Sequence, residues 1–391
     1  MRPGVSVGEQ DALRPQSMAR LLFVTDTPQL RGAERSLEEL IVGLLPSCTV
    51  DVVVPSNGPL VGRLQGLGVA VHIVPFSKWV RVNPSAIATI RCMIRTLGAS
   101  ISLARLVRAR DVTTVVSNTM ATPVGAVAGW LARRPVVWFA REFIGDKYDR
   151  RFLLGERASL RIVRLLSDRV IACSDAIATW LRAAGIPDVA VVYSACEPEG
   201  VVRLAPDEHA ATIAVVGARH PSKGQHIAVQ ALALLKQRGR SVRLLSVGAA
   251  SNATIDEALR SLAAELGVTA AVELLPAHEN PWGRVPRDAI VLVPSNHEAF
   301  SRVTIEAMKL GLAVVRSDSD AAEQIDDGRT GLLFRTGDAV DLANRVQLLI
   351  DDPSLRRKLA LGGQQFAVTN FSRAKFVAAF TDAMSGLTRR S

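Results

Sequence analysis

The sequence predicts an α/β protein of two lobes, each a parallel sheet flanked by helices, facing one another across a central cleft. Short apolar runs bounded by turn residues alternate with helix-period segments along almost the whole chain, the pattern of βα repeats around a buried parallel sheet. The alternation breaks once, at the polar stretch CEPEGVVRLAPDEHA (196–210), and then restarts. The 391 residues, 48% apolar and 21% charged, are enough for two domains at ~100–200 residues each and exclude a disordered chain.

The elements follow in order. Residues 1–18 read as a flexible leader with no apolar stretch of signal-peptide length. The first lobe, 19–195, opens with a strand centred on Leu21 to Val24 and a helix from Gly32 to Leu45. Strands follow at 48–55 and 69–75, with a short helix between them. A long helix runs over 84–110, then strand 112–118, a small-residue helix at 121–132, and strands 135–140 and 169–174. Ser174 opens a helix that Gly185 closes, and strand 189–194 ends the lobe. After the linker, 196–210, the second lobe (211–368) places strands at 211–217, 241–248, 271–276, 289–295, 312–318 and 331–334. Its helices are expected at 224–238, 254–266, 284–288, 302–310, 321–327, 338–349 and 353–367. The last segment, within 369–391, carries Phe371, Phe376, Ala379, Phe380 and Met384 on one side of a helix.

Charge is uneven. Residues 1–195 hold 24 Lys and Arg against 15 Asp and Glu, and residues 196–391 hold 23 against 22. A net +9 in one half suggests an anionic partner for it. Along 84–110, Ile87, Ile90, Ile94, Leu97, Ile101 and Ala104 recur at helical spacing among Arg91, Arg95, Arg105 and Arg108. Such a helix either lies at an anionic lipid surface or packs on a sheet with a charged outer face. No recognition motif accompanies the charge, so nucleic acid is not an expected partner. No apolar run reaches membrane-spanning length. The four cysteines form neither a C-x-x-C pair nor a zinc knuckle, which suits a reduced, cytoplasmic setting.

Ligands of open parallel sheets bind beyond the carboxyl ends of the strands, so the residues after each strand carry the chemistry. After strand 211–217 stands VGARHPSKGQH: Gly217 permits a tight turn, and Arg219 and Lys223 flank a helix that Gly224 opens. Two cations beside a helix tip make a cradle for a diphosphate. The stretch contains neither a Walker sequence nor G-x-G-x-x-G. After strand 289–295, Glu298 lies in a loop and Glu306 eight positions on, within the next helix. The loop acid suits a sugar hydroxyl, the helix acid a ribose diol, and the backbone of Phe300, Ser301 and Arg302 phosphate oxygens.

These segments, in this order, resemble the GT-B glycosyltransferases of the large retaining family 4. Gly32-Ala33-Glu34 is similar to the family's acceptor-side glycine loop, and Gly217…Arg219…Lys223-Gly224 to its diphosphate-binding pair. Glu298 and Glu306 match its E-x7-E signature, and Asp327-Gly328…Thr330-Gly331-Leu332-Leu333 its closing stretch. The resemblance implies two Rossmann-like domains and transfer of a sugar from a UDP- or GDP-linked donor to a hydroxyl acceptor with retention. That acceptor would be a glycan, a lipid-linked intermediate or a small metabolite. No metal or other cofactor is implied. Glu298 would contact the donor sugar, Glu306 the ribose, Arg219 and Lys223 the diphosphate. Gly32, Ala33, Arg141 and Ser174 would lie on the acceptor side, and the final helix would cross back onto the first lobe. The resemblance places the enzyme in the cytoplasm, with the inner membrane face as a peripheral station. The chain departs from the family pattern where Arg141-Glu142 stands for a histidine, Ser301 for a glycine, and Ser194-Ala195-Cys196-Glu197 at the lobe junction. A nucleotide-sugar epimerase of the same fold, or a sugar-nucleotide-binding protein without transferase activity, are the alternatives.

Overall fold

The computed structural model describes residues 19–82, 86–145, 147–148, 150–198 and 211–387. The expected leader and most of the expected linker therefore lie outside the described residues.

The first lobe contains β1 (Arg20–Val24), α1 (Gly32–Leu44), β2 (Thr49–Val54), α2 (Pro59–Gly66), β3 (Ala70–Ile73), β4 (Val80–Arg81) and α3 (Ala86–Ala109). It continues with β5 (Thr114–Ser117), α4 (Val124–Leu131), β6 (Val136–Ala140), β7 (Arg151–Phe152), α5 (Glu156–Leu166), β8 (Arg169–Ala172), α6 (Asp175–Ala183) and β9 (Val189–Val191). Seven of these strands form one parallel sheet in the order β3-β2-β1-β5-β6-β8-β9, while β4 and β7 make a separate antiparallel pair. The central strand β1 is buried on both faces, and its Phe23 lies in register between Val52 and Val116.

The second lobe contains β10 (Ala211–Val216), α7 (Gln225–Gln237), β11 (Val242–Val247), α8 (Ile255–Glu265), β12 (Val272–Leu275), β13 (Ile290–Val293), α9 (Arg302–Lys309), β14 (Ala313–Ser317) and β15 (Leu332–Phe334). Two helices, α10 (Ala339–Asp351) and α11 (Pro353–Asn370), complete it. Its six strands run parallel in the order β12-β11-β10-β13-β14-β15. The order reverses at β10, so the crevice between the loops after β10 and β13 is its natural ligand site.

The last helix, α12 (Arg373–Ala383), leaves this lobe and packs on the first. Phe376 and Phe380 are buried against Phe23 and Phe139, with ring centroids 6.0–6.4 Å apart. Arg373 at its start donates to Glu39 of α1 at 2.9 Å. The lobes are thus tied by aromatic burial as well as by the linker.

Two expectations need correction. The helix expected at 284–288 is a 3-10 turn over Pro281–Arg284, set earlier because Pro281 fixes the backbone and the Asn280 side chain caps the turn. The helix expected at 321–327 is likewise a short 3-10 turn, Ala322–Gln324. In α3, where the sequence leaves both placements open, Ile87, Ile90, Ile94, Leu97 and Ile101 of the stripe are exposed, and its Ala104 is buried with Cys92, Ala99, Leu103 and Val107.

Candidate active site

Gly224 organises the donor side. Its φ of +69° lies in the left-handed region, and a Cβ there would sit 1.9 Å from the Pro294 carbonyl oxygen. Only glycine lets the loop after β13 lie this close to the start of α7. The Asn296 amide then donates to the Ser222 carbonyl at 2.9 Å. The same approach sets the Lys223 ammonium 2.7 Å from a Glu298 carboxylate oxygen. Glu298 is held from behind: Asp320 accepts from its amide at 3.3 Å, and the Glu298 carbonyl accepts from the Ala321 amide at 3.2 Å. His297 also pairs with Asp320, at 3.1 Å, and its ring meets Tyr148 of the first lobe edge-on.

Glu306 lies further along the cleft. Arg302, one helical turn before it, pairs with it at 3.1 Å, and the Trp282 indole N–H donates to its other oxygen at 2.9 Å. Between these residues and α1 is a cavity of about 160 Å³, lined in part by Trp282, Arg302, Glu306 and Glu279 from the second lobe and Arg35 and Glu39 from the first.

Arg219 is turned elsewhere. It is buried, and its Nε and Nη2 grip both carboxylate oxygens of Asp256 in α8, the latter at 2.9 Å. Its Nη1 donates to the Leu275 carbonyl at 2.7 Å. Lys223 and Glu298 are brought together; Arg219 is a pin between β10, β12 and α8. The Asp256 carboxyl is held below the usual range chiefly by this hydrogen bonding.

Of the Phe300 and Ser301 backbone amides expected at a phosphate, that of Ser301 is engaged elsewhere. Phe300 packs its ring between Tyr193 and Phe371 at the lobe junction. The Ser301 amide donates to the Gln324 side chain at 2.9 Å, and its hydroxyl accepts from the Thr304 amide, capping α9. Gln324 is itself fixed by the buried Arg316 at 2.8 Å. Arg302 reaches across the cleft, donating to the Ser36 hydroxyl at 3.2 Å and the Ala195 carbonyl at 3.1 Å. Its Cδ lies 3.7 Å from where a Gly32 Cβ would stand, so Gly32 faces the second lobe. Gly217, with φ of +125°, has open space where a Cβ would be.

On the acceptor side, Ser174 is buried as the cap of α6, its hydroxyl accepting from the Ile177 amide. The next residue, Asp175, donates its amide across the cleft to Glu323 at 3.1 Å. Arg141 is buried over the Phe139 ring, 3.7 Å from its centroid, and donates to Asn118 at 3.0 Å and Ser194 at 2.7 Å. Its Nη2 has no hydrogen-bond partner among the described residues. Burial lowers this guanidinium to about 10. Glu142 was not singled out as a site by the sequence. It accepts from Thr119 at 2.6 Å and from the Met120 amide at 2.8 Å. Burial first, and the charge of Asp26 second, raise its pKa to about 7. Asp26 pairs with Lys78. Glu34 is buried at the start of α1, where the Thr25 hydroxyl donates to it at 2.9 Å. Among the described residues no group of three or more His, Cys, Asp or Glu is placed to hold a metal ion.

Two Rossmann-like lobes, with Lys223, Glu298 and Glu306 lined along one face of the cleft, define a GT-B architecture. The family models agree: Glycosyltransferase Family 4 matches residues 30–199, and Glycosyl transferases group 1 matches residues 198–366. The chain belongs to these glycosyltransferases.

It is 37% identical over 165 residues to the D-inositol 3-phosphate glycosyltransferase of Nocardia farcinica, covering 40% of this chain and 36% of that one. It is 27% identical over 162 residues to the capsular polysaccharide biosynthesis glycosyltransferase CapM of Staphylococcus aureus, covering 41% and 42%. These matches thus span less than half the length of either relative. Among solved structures, Anabaena HepE in complex with UDP and glucose superposes with a TM-score of 0.78 at 22% identity, over 94% of this chain and 100% of that one. WaaG, a glycosyltransferase involved in lipopolysaccharide biosynthesis, superposes with a TM-score of 0.64 at 16% identity, over 94% and 100%.

Proposed function

We propose that the protein is a retaining glycosyltransferase that takes a nucleotide sugar, UDP- or GDP-linked, on its second lobe and passes the sugar to a hydroxyl acceptor held by the first. The observation that carries this is the Lys223–Glu298 pair at the tip of α7, positioned by Gly224. Lys223 is the full charge that a departing diphosphate needs, reinforced by the positive end of the α7 dipole. Glu298, released from Lys223 as phosphate arrives, accepts hydrogen bonds from the donor sugar. Glu306, aimed by Arg302 and Trp282, takes the ribose diol. The glycosidic C–O bond to phosphate breaks and the bond to the acceptor oxygen forms on the same face. The acceptor proton passes to the leaving phosphate, so no protein carboxylate need act as nucleophile. Gly217 and the α7 tip line the phosphate position, and Arg219 supports it from beneath. Gly32, Ala33 and the free N–H of Arg141 face the acceptor. The complex of HepE with UDP and glucose supports the donor class.

The acceptor lobe also suits a peripheral seat on an anionic membrane. The exposed side of α3 carries Ile87, Ile90, Met93, Ile94 and Leu97, each more than half exposed, beside Arg91, Arg95, Arg105 and Arg108. An amphipathic basic face of this kind binds anionic lipid by apolar insertion and charge together. No helix among the described residues is long and apolar enough to cross a membrane. Release of nucleoside diphosphate from a panel of nucleotide sugars, with and without a lipid extract as acceptor, tests the reading. Release that needs the extract and vanishes in Glu298→Gln supports it; no release from any donor refutes it.

A further inference from the structure

Beneath the exposed face of α3 runs an apolar groove that the donor chemistry leaves unused. It lies between α3, α4 and α5, has a volume of about 200 Å³, and is lined by Trp79, Cys92, Met93, Leu97, Val127 and Leu153 among others, with no charged side chain. An apolar cavity of about 150 Å³ stays dry and takes up a benzene-sized hydrocarbon. We infer that this groove holds the hydrocarbon chain of a lipid-linked acceptor, so that the enzyme's acceptor is a membrane lipid and not a soluble glycan. The inference rests on the glycosyltransferase reading above and narrows its acceptor.

The charge around the groove points to a lipid. Its mouth opens between the exposed Met93, Leu97 and Leu154. Along Ala86–Ala109 there are four arginines and no acid, and Arg91 and Arg95 are exposed beside the mouth. The helix α5, which lines the groove with Ile162, exposes Arg157, Arg161 and Arg164. Exposed guanidinium groups on both helices that flank an apolar mouth match a chain entering from an anionic bilayer, whose phosphates they can meet.

The inner end of the groove adjoins the acceptor side of the cleft. The Lys78 carbonyl accepts from the Cys92 thiol at 3.3 Å on the groove side, while the Lys78 ammonium pairs with Asp26 after β1. The Trp79 indole N–H donates to the Met120 carbonyl at 2.7 Å, and the Met120 amide donates to Glu142 at 2.8 Å. A single layer of residues, Lys78 and Trp79, therefore divides the groove from Asp26 and Glu142. A lipid chain held in the groove therefore lies one residue layer from those acids.

The test uses the full chain and a palmitate-length fatty acid bearing a diazirine near its methyl end, photolysed with the protein and mapped by peptide mass spectrometry. Adducts are expected on the peptides that carry Met93–Leu97 and Leu153–Leu154. Thr96→Trp fills the groove and should cut them about tenfold, the effect of excluding roughly two methylenes; Val127→Phe replaces it if circular dichroism shows Thr96→Trp unfolded. Ile90→Ser with Ile94→Ser, outside the groove, should lower sedimentation with phosphatidylglycerol vesicles and leave groove labelling intact. Adducts elsewhere, or labelling that both groove variants leave unchanged, would overturn the inference. Titrations of UDP and GDP into the same preparations separate the two readings: a bound nucleotide without groove labelling removes only the lipid chain, whereas a wild-type protein that binds neither UDP nor GDP removes the glycosyltransferase reading itself.

Discussion

Replacing Asp256 by alanine decides whether Arg219 is a pin or a phosphate ligand. The change leaves a guanidinium that is 4% exposed without its bidentate partner, which is itself 23% exposed. Removing one member of a buried pair costs about 3–5 kcal/mol, and the residual exposure of Asp256 points to the lower end, about 3 kcal/mol. For a lobe of this size that is a fall of roughly 6–12 °C in its unfolding temperature, read by differential scanning calorimetry. The double variant Arg219→Met with Asp256→Leu should recover most of the loss, because a well-packed apolar pair replaces the ion pair at little cost. It should also keep its affinity for UDP. Because Arg219 lowers the Asp256 pKa, the gap between wild type and Asp256→Ala is present at neutral pH. It closes as acidification passes below the unfolded value, 3.8, and through the folded one. A double variant that is fully folded yet has lost UDP binding would refute the pin and restore Arg219 to the diphosphate.

Two further outcomes follow from the cleft. Gly224→Ala forces a side chain into the left-handed region, at about 1–2 kcal/mol before any clash, and pushes Pro294 away, so calorimetry should show lost stability and weaker UDP binding together. For Glu142, the folded pKa of about 7 lies above the unfolded value, so the native state holds the extra proton and wild-type stability falls as pH rises from about 4.5 to 7. Glu142→Gln keeps an oxygen for Thr119 and Met120 and should lack that slope; urea midpoints at pH 5 and pH 8 check it, and equal slopes would contradict the shifted carboxyl.

The βα alternation, the lobe junction and the Lys223–Glu298 neighbourhood were legible because strand runs and strand-end loops are local features. What escaped depended on partners distant in sequence. Nothing near Arg219 announces that Asp256, on the next helix but one element, will claim it. The sequence marks the backbone at Phe300 and is silent on its ring, whose surroundings, Tyr193 and Phe371, come from the lobe junction. Periodicity found the stripe on α3 without saying which side the sheet would cover. Within 141–168, GERASLRIVRLL sets Leu160, Val163 and Leu166 at helical spacing among arginines and forms α5, an element that strand runs alone do not reveal. The pair β4–β7 is too short, at two residues each, to leave an alternating pattern.

The central claim is that Lys223, at the α7 tip beside Glu298, anchors a nucleotide sugar's diphosphate. Calorimetric titration of UDP-glucose and GDP-mannose into wild type and Lys223→Met tests it most directly. The account predicts saturable binding of at least one donor by wild type, weakened about 10–100-fold in the variant, the worth of one charged hydrogen bond. Equal affinity in the two proteins would contradict it.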